Sequence, residues 1–168
     1  NFAEQHPDWV KAIVSYDGPA CDFTKAMADS VARSVGAADM KGLFTPQNPA
    51  EQYRLLAIAF YDPPKVPAFA RKQFYEHAKE KQPGYLGLLQ DLLDREKQYA
   101  TKQYTWSMPV YVLWGEGDRL IPPAVGRGIA SRNHLPADHL IMIPNAGHIA
   151  NVEQKAVFEE QLRRVLKE

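Results

Sequence analysis

Residues 109–151 read PVYVLWGEGDRLIPPAVGRGIASRNHLPADHLIMIPNAGHIAN, and this stretch decides the fold. It contains two short apolar runs, Val110 to Trp114 and Leu140 to Ile143, each bounded by Pro or Gly. Runs of this length, rich in β-branched residues, read as strands buried on both faces of a parallel sheet. Each run breaks into a loop with one titratable residue, Asp118 in Gly-Glu-Gly-Asp and His148 in Asn-Ala-Gly-His. The segment between them predicts a crossover helix from about Pro123 to Asn133, so both loops fall at the carboxyl ends of neighbouring strands. Ligands of open α/β sheets bind at those ends. Asp118 and His148 are thereby expected to face each other.

The ordered pattern of apolar strand, Trp114-Gly115-x-x-Asp118, crossover helix, apolar strand and Ala146-Gly147-His148 resembles the C-terminal part of the α/β-hydrolase fold. In that fold the catalytic residues follow the chain order nucleophile, acid, histidine. The resemblance implies that Asp118 is the triad acid and His148 the triad base. Glu153 sits where the family commonly has a glutamate opening its last helix, although the proline that often follows is absent near Lys155. Two other acids compete with Asp118. Glu116 lies in the same loop, where solvation is expected. Asp17 ends an earlier strand, a position at which some relatives carry their acid; its alternative role is a turn residue, since Asp-Gly-Pro is favourable turn chemistry.

Upstream, Asn1 to His6 predicts the tail of a helix stopped by Pro7, and Val10 to Tyr16 predicts a strand ending in Asp17-Gly18-Pro19. Phe2 to Val10 resembles the segment that leaves the nucleophile helix of α/β-hydrolases, which would place the nucleophile roughly eight residues before Asn1, in a Gly-x-Ser-x-Gly turn. Ser15, Ser30, Ser34, Ser107 and Ser131 do not sit between glycines. Cys21 follows Gly-Pro-Ala and reads as a small buried or loop residue rather than a nucleophile. The expectation is that the chain is a piece of a larger fold, with the N-terminal half supplied by the same protein or a second chain. A half-sheet ending at Val10 to Tyr16 would expose an unpaired edge and is not expected to behave as a monomer.

From Asp22 to Tyr104 the strand-helix alternation gives way to helical pattern alone: Asp22 to Val35, Pro49 to Tyr61, Pro67 to Glu80 and Tyr85 to about Gln98. Asp22 is a candidate cap for the first of these, and Asn48-Pro49 with Glu51 is a strong start for the second. Asp62-Pro63-Pro64 and Gln82-Pro83-Gly84 are expected to separate the later ones. Leu55, Ile58, Ala59 and Leu86, Leu88, Leu89, Leu92, Leu93 recur at helical spacing. An all-helical insertion of this kind resembles the cap of capped α/β-hydrolases, and its many aromatic residues favour an apolar pocket. The expected organisation is core α/β over residues 1–21, helical cap over 22–104 and core α/β over 105–168, in an α/β fold with a mostly parallel sheet.

Composition narrows the function. The 168 residues carry 20 Lys plus Arg and 20 Asp plus Glu, a formal net charge of zero, so nothing points to nucleic acid. Although 45% of residues are hydrophobic, no apolar run approaches the ~20 residues of a membrane span. A single Cys suits a reducing compartment, and a cytoplasmic location is expected. His6, His77, His134 and His139 have no partners at metal-ligand spacing, and the glycine pairs lack a dinucleotide fingerprint, so neither metal nor cofactor is expected.

The resemblance implies a hydrolase with a nucleophile-His-Asp triad acting on an ester or related acyl bond of a small apolar substrate. An Asp nucleophile acting on epoxides or haloalkanes would use the same acid and base. A reading of a different class is a non-catalytic fragment or degenerate homologue that serves as a binding module.

Overall fold

The computed structural model describes residues 2–19 and 22–167; Cys21 lies outside the described residues. Three strands, β1 (Ile13–Tyr16), β2 (Val110–Gly115) and β3 (Leu140–Ile143), form a parallel sheet in the order β1-β2-β3. Ile13 lies opposite Val110 and Val112 opposite Leu140, so β2 is central. All six of its residues are buried. β2 alternates strictly between two cores. Val112 and Trp114 pack with Val125 and Ile129 of α7 (Pro123–Arg132), and with Phe23, Met40 and Ile58. Tyr111 and Leu113 pack on the opposite face with Val165 and Phe158 of the C-terminal helix. That two-sided burial explains why β2 is apolar without interruption.

Before the sheet lie α1 (Phe2–Gln5) and a 3₁₀ turn, Pro7–Trp9. The strand expected from Val10 starts instead at Ile13, because ladder pairing begins where Ile13 N–H reaches Pro109 O at 2.9 Å. Between β1 and β2 come α2 (Lys25–Ser34), α3 (Met40–Phe44), α4 (Pro49–Ala59), α5 (Ala68–Asp94) and α6 (Glu96–Tyr99). After β3 follow α8 (Ala150–Glu153) and α9 (Lys155–Val165).

The helical region differs from expectation in three places. Thr24, not Asp22, caps α2, its hydroxyl accepting Met27 N–H at 3.2 Å. Asp22 adopts a left-handed φ of +68° and pairs its carboxylate with Arg132. α3 has no counterpart among the expected helices; Asp39 caps it by accepting Gly42 N–H at 2.7 Å, and Met40 and Leu43 are buried. Finally, the helices expected on either side of Gln82-Pro83-Gly84 are one 27-residue helix, α5, with Pro83 inside it. An internal proline costs ~3 kcal/mol in a helix. Half-buried side chains of α5, Tyr75, Ala78, Gln82, Leu86, Leu89 and Leu93, keep step in threes and fours across it. Packing of this uninterrupted stripe prevails over the local break. Asn48 caps α4 as its sequence suggests, accepting Ala50 and Glu51 N–H at 3.1 and 3.0 Å. Among the described residues no helix is long and apolar enough to cross a membrane.

Candidate active site

The loops after all three strands converge. Asp118 is 3% exposed, and its Oδ1 accepts Leu120 N–H at 2.8 Å and Ile121 N–H at 2.9 Å. These two bonds close the turn that leads into α7 and aim the other oxygen. Asp118 Oδ2 lies 2.9 Å from His148 Nδ1. With Asp118 ionised, Nδ1 carries the proton and donates it, which leaves Nε2 as the acceptor nitrogen. Burial by itself lowers the His148 pKa, but the hydrogen bond to Asp118 and the charges of Asp118 and Asp17 outweigh it, and the net direction is upward from 6.5.

The backbone of His148 is fixed from several sides. Its N–H donates to Ala59 O, at the end of α4, at 2.7 Å. Tyr16 at the end of β1 places its hydroxyl 3.2 Å from His148 O and 2.9 Å from Asn151 Oδ1. Tyr16 is pushed up to about 12, burial being the leading cause. Glu153 fastens the preceding residue: one carboxylate oxygen accepts Gly147 N–H at 2.7 Å, while the pair of oxygens accepts Tyr61 N–H at 2.9 and 3.1 Å and Asp62 N–H at 3.1 Å. The histidine loop and the exit of α4 therefore share one carboxylate. Arg119 adds a second tie, donating to Ala57 O at 2.9 Å and Phe60 O at 2.6 Å.

These approaches leave no room for a side chain at the loop glycines. A Cβ on Gly147 would come within 2.5 Å of Ala59 O, and one on Gly115 within 2.1 Å of Gly147 O.

Of the two competing acids, Glu116 is exposed. Asp17 is 2% exposed and lies beside the pair, but it has no bond to the imidazole: its Oδ1 accepts Gly115 N–H at 3.1 Å and its Oδ2 is unpartnered. Burial, reinforced by the Asp118 charge, raises Asp17 to about 7. Its φ of +41° shows that the turn role and the site location coincide. One ligand atom each from Asp17, Asp118 and His148 falls within 4.8 Å of the others, a grouping able to hold a cation. A cation there would have to break the Asp118–His148 bond, and Asp118 Oδ1 already serves two amides; the arrangement fits a hydrogen-bonded acid and base better than a ligand set. The structure brings Asp118 and His148 together with Glu153 close by; what Tyr16 and Glu153 hold is not legible in the sequence, because Tyr16 reaches His148 O across 132 residues and Glu153 reaches Tyr61 N–H across 92.

His148 borders an apolar cavity of about 170 Å³ whose walls include Phe23, Met40, Phe44, Leu120 and Ile121. Residues 1–155 match the family model described as alpha/beta hydrolase fold. The chain belongs to the α/β-hydrolase fold family. It is 28% identical over 102 residues to Lipase 1 of Psychrobacter immobilis, an alignment covering 60% of this chain and 32% of that protein. Among solved structures it superposes on a bacterial membrane phospholipase A with a TM-score of 0.74 and 18% identity, covering 99% of this chain and 52% of the other. A meta-cleavage product hydrolase from Pseudomonas fluorescens gives 0.69 and 15%, covering 98% and 58%. At these identities the structural matches establish the fold alone. The chain spans about half the length of these structures and a third of the matched lipase.

Proposed function

We propose that this chain carries the acid and base of an acyl hydrolase, Asp118 and His148, together with the helical cap over its active site. The observation that carries this reading is the 2.9 Å bond from His148 Nδ1 to an Asp118 whose other oxygen is already anchored, beside an apolar cavity. The kinship with a lipase supports an ester as the scissile group.

In the proposed mechanism Nε2 of His148 takes the proton from a serine hydroxyl as that oxygen attacks the ester carbonyl. The imidazolium that forms is stabilised by Asp118, and it then protonates the departing alkoxide. A water repeats the cycle on the acyl-enzyme and releases the acid. The serine belongs to a segment outside this sequence that continues the sheet at β1. The exposed side of β1 fits such a segment: Phe2 and Trp9 are 57% and 78% exposed, and Val10, Ile13, Trp106 and Ile129 line an apolar recess of about 430 Å³ there. Helices α2–α6 act as the cap that excludes water from the reacting bond.

The test is turnover of p-nitrophenyl esters by the chain joined to its nucleophile-bearing segment, with active-site titration by a fluorophosphonate. One equivalent of label, with turnover abolished by His148→Gln, supports the proposal. Ester hydrolysis that survives His148→Gln unchanged would overturn it. Retained epoxide or haloalkane turnover without labelling would move the nucleophile from Ser to Asp.

A further inference from the structure

A second cavity, of about 310 Å³, lies within the helical region. It is distinct from the one that borders His148, yet the two share a wall and a helix. α5 contributes Phe74, Ala78, Gln82 and Tyr85 to the second cavity, and the next residues of the same stripe, Leu89 and Leu92, to the first. One side chain belongs to the walls of both: Phe44, the last residue of α3. Gln82 Nε2 donates to Phe44 O at 3.3 Å, so the backbone of Phe44 is tied to α5 just before the stripe passes from one cavity to the other.

Volume decides what this arrangement does. Sites for small organic molecules ordinarily run from ~300 to ~1,000 Å³. The cavity at His148 falls below that range, while the two cavities together fall within it. We propose that Phe44 is the residue that sets acyl-chain length: short acyl groups fill the cavity at His148, and longer ones reach the second cavity only by displacing the Phe44 ring. The occupant of the second cavity is the distal part of an unbranched acyl chain, which matches the Phe, Leu, Pro and Tyr side chains that make up most of its walls, with Gln52, Arg71, His77, Lys79 and Gln82 as the polar remainder. Because the Phe44 backbone is held at both its helix and its carbonyl, the ring moves by side-chain rotation, not by loop opening.

This inference rests on the acyl-hydrolase reading, and its test separates the two. Specificity constants for p-nitrophenyl butyrate, octanoate, laurate and palmitate are measured on the competent enzyme, with Phe44→Ala, Phe44→Leu and Phe44→Trp. The laurate-to-butyrate ratio is expected to rise about tenfold in Phe44→Ala, to rise less in Phe44→Leu and to fall in Phe44→Trp. An identical chain-length profile in all three variants overturns the role of Phe44. Absence of turnover with every ester in the wild type overturns the acyl-hydrolase reading instead, and equilibrium binding of alkyl carboxylates then tests Phe44 independently. Affinity should climb about fourfold per methylene until the accessible space is full. The climb should stop at a shorter chain in wild type and Phe44→Trp than in Phe44→Ala and Phe44→Leu. A plateau at one common length refutes the partition.

Discussion

The strand-end loops and helix α5 both contain glycines, and the space around those glycines is opposite. At Gly115 and Gly147 a single added carbon would meet backbone atoms within 2.1 and 2.5 Å, whereas at Gly84 and Gly87 it would meet nothing within 4 Å. The loops are assembled by main chain pressing on main chain; α5 buries no residue fully and leaves Phe69 and Leu88 70% and 73% exposed. The Asp118–His148 pair is thus held where main chain is closely packed, and α5 is built where much is open.

The sharpest way to break that contrast is at the proposed acid. Asp118→Asn in the competent enzyme should lower kcat by about 10⁴, since the carboxamide no longer fixes the Nδ1–H tautomer. In wild type the acid limb of kcat/KM should have its midpoint above 6.5, because the net effect of burial and the two carboxylates is to favour the imidazolium. A pH profile of the Asn variant should show that midpoint displaced downward.

Next in size is Gly147→Ala. Its Cβ has no neighbour that can give way cheaply, so a loss of about 3 kcal/mol or more is expected, read as a fall in the urea midpoint. Retention of wild-type stability would mean that the histidine loop is softer than its contacts imply.

Asp17 tests the same region with pH. Its pKa rises from 3.8 to about 7 on folding, so the native state binds more protons than the unfolded chain between those values. Stability from this group is therefore present below about pH 4 and lost as pH rises towards 7. Asp17→Asn should remove that slope and, above pH 7, stabilise the fold by on the order of 2 kcal/mol. Melting curves across that pH window decide it.

The smallest effects belong to α5. Gly84→Ala and Gly87→Ala should each stabilise by ~0.5–1 kcal/mol, since both are helical, open and without a close neighbour. Destabilisation at either would mean that α5 needs its flexibility next to Pro83.

The same contrast governs how much the sequence discloses. β2, β3, Asp118 and His148 are legible because each depends on a few consecutive residues: an apolar run, a glycine and a titratable group. Glu153 is legible as a position but not as a fastening, since Tyr61 lies 92 residues away along the chain. α5 misleads because Pro83-Gly84 is a strong local break, and the stripe that prevails over it faces α3 and α4, partners no local window contains. Asp17 reads first as a turn residue and second as a rival acid, and only its burial beside Asp118 shows that it is a carboxyl neighbour without a bond to the histidine.

Glu153 and the exit of α4 bear on how such a molecule diversifies. Every group that the site loops grip there is backbone: the N–H of Tyr61 and Asp62, and the carbonyls of Ala57, Ala59 and Phe60. Peptide groups are the same whatever side chains they bear, so the hydrogen bonds of the join place little demand on residue type, and the demand that remains is steric, where the Tyr61 ring closes on Gly117. Mutation can therefore redraw the helical region while the attachment to the histidine loop is left unchanged, in the manner of a standard fitting that accepts interchangeable heads.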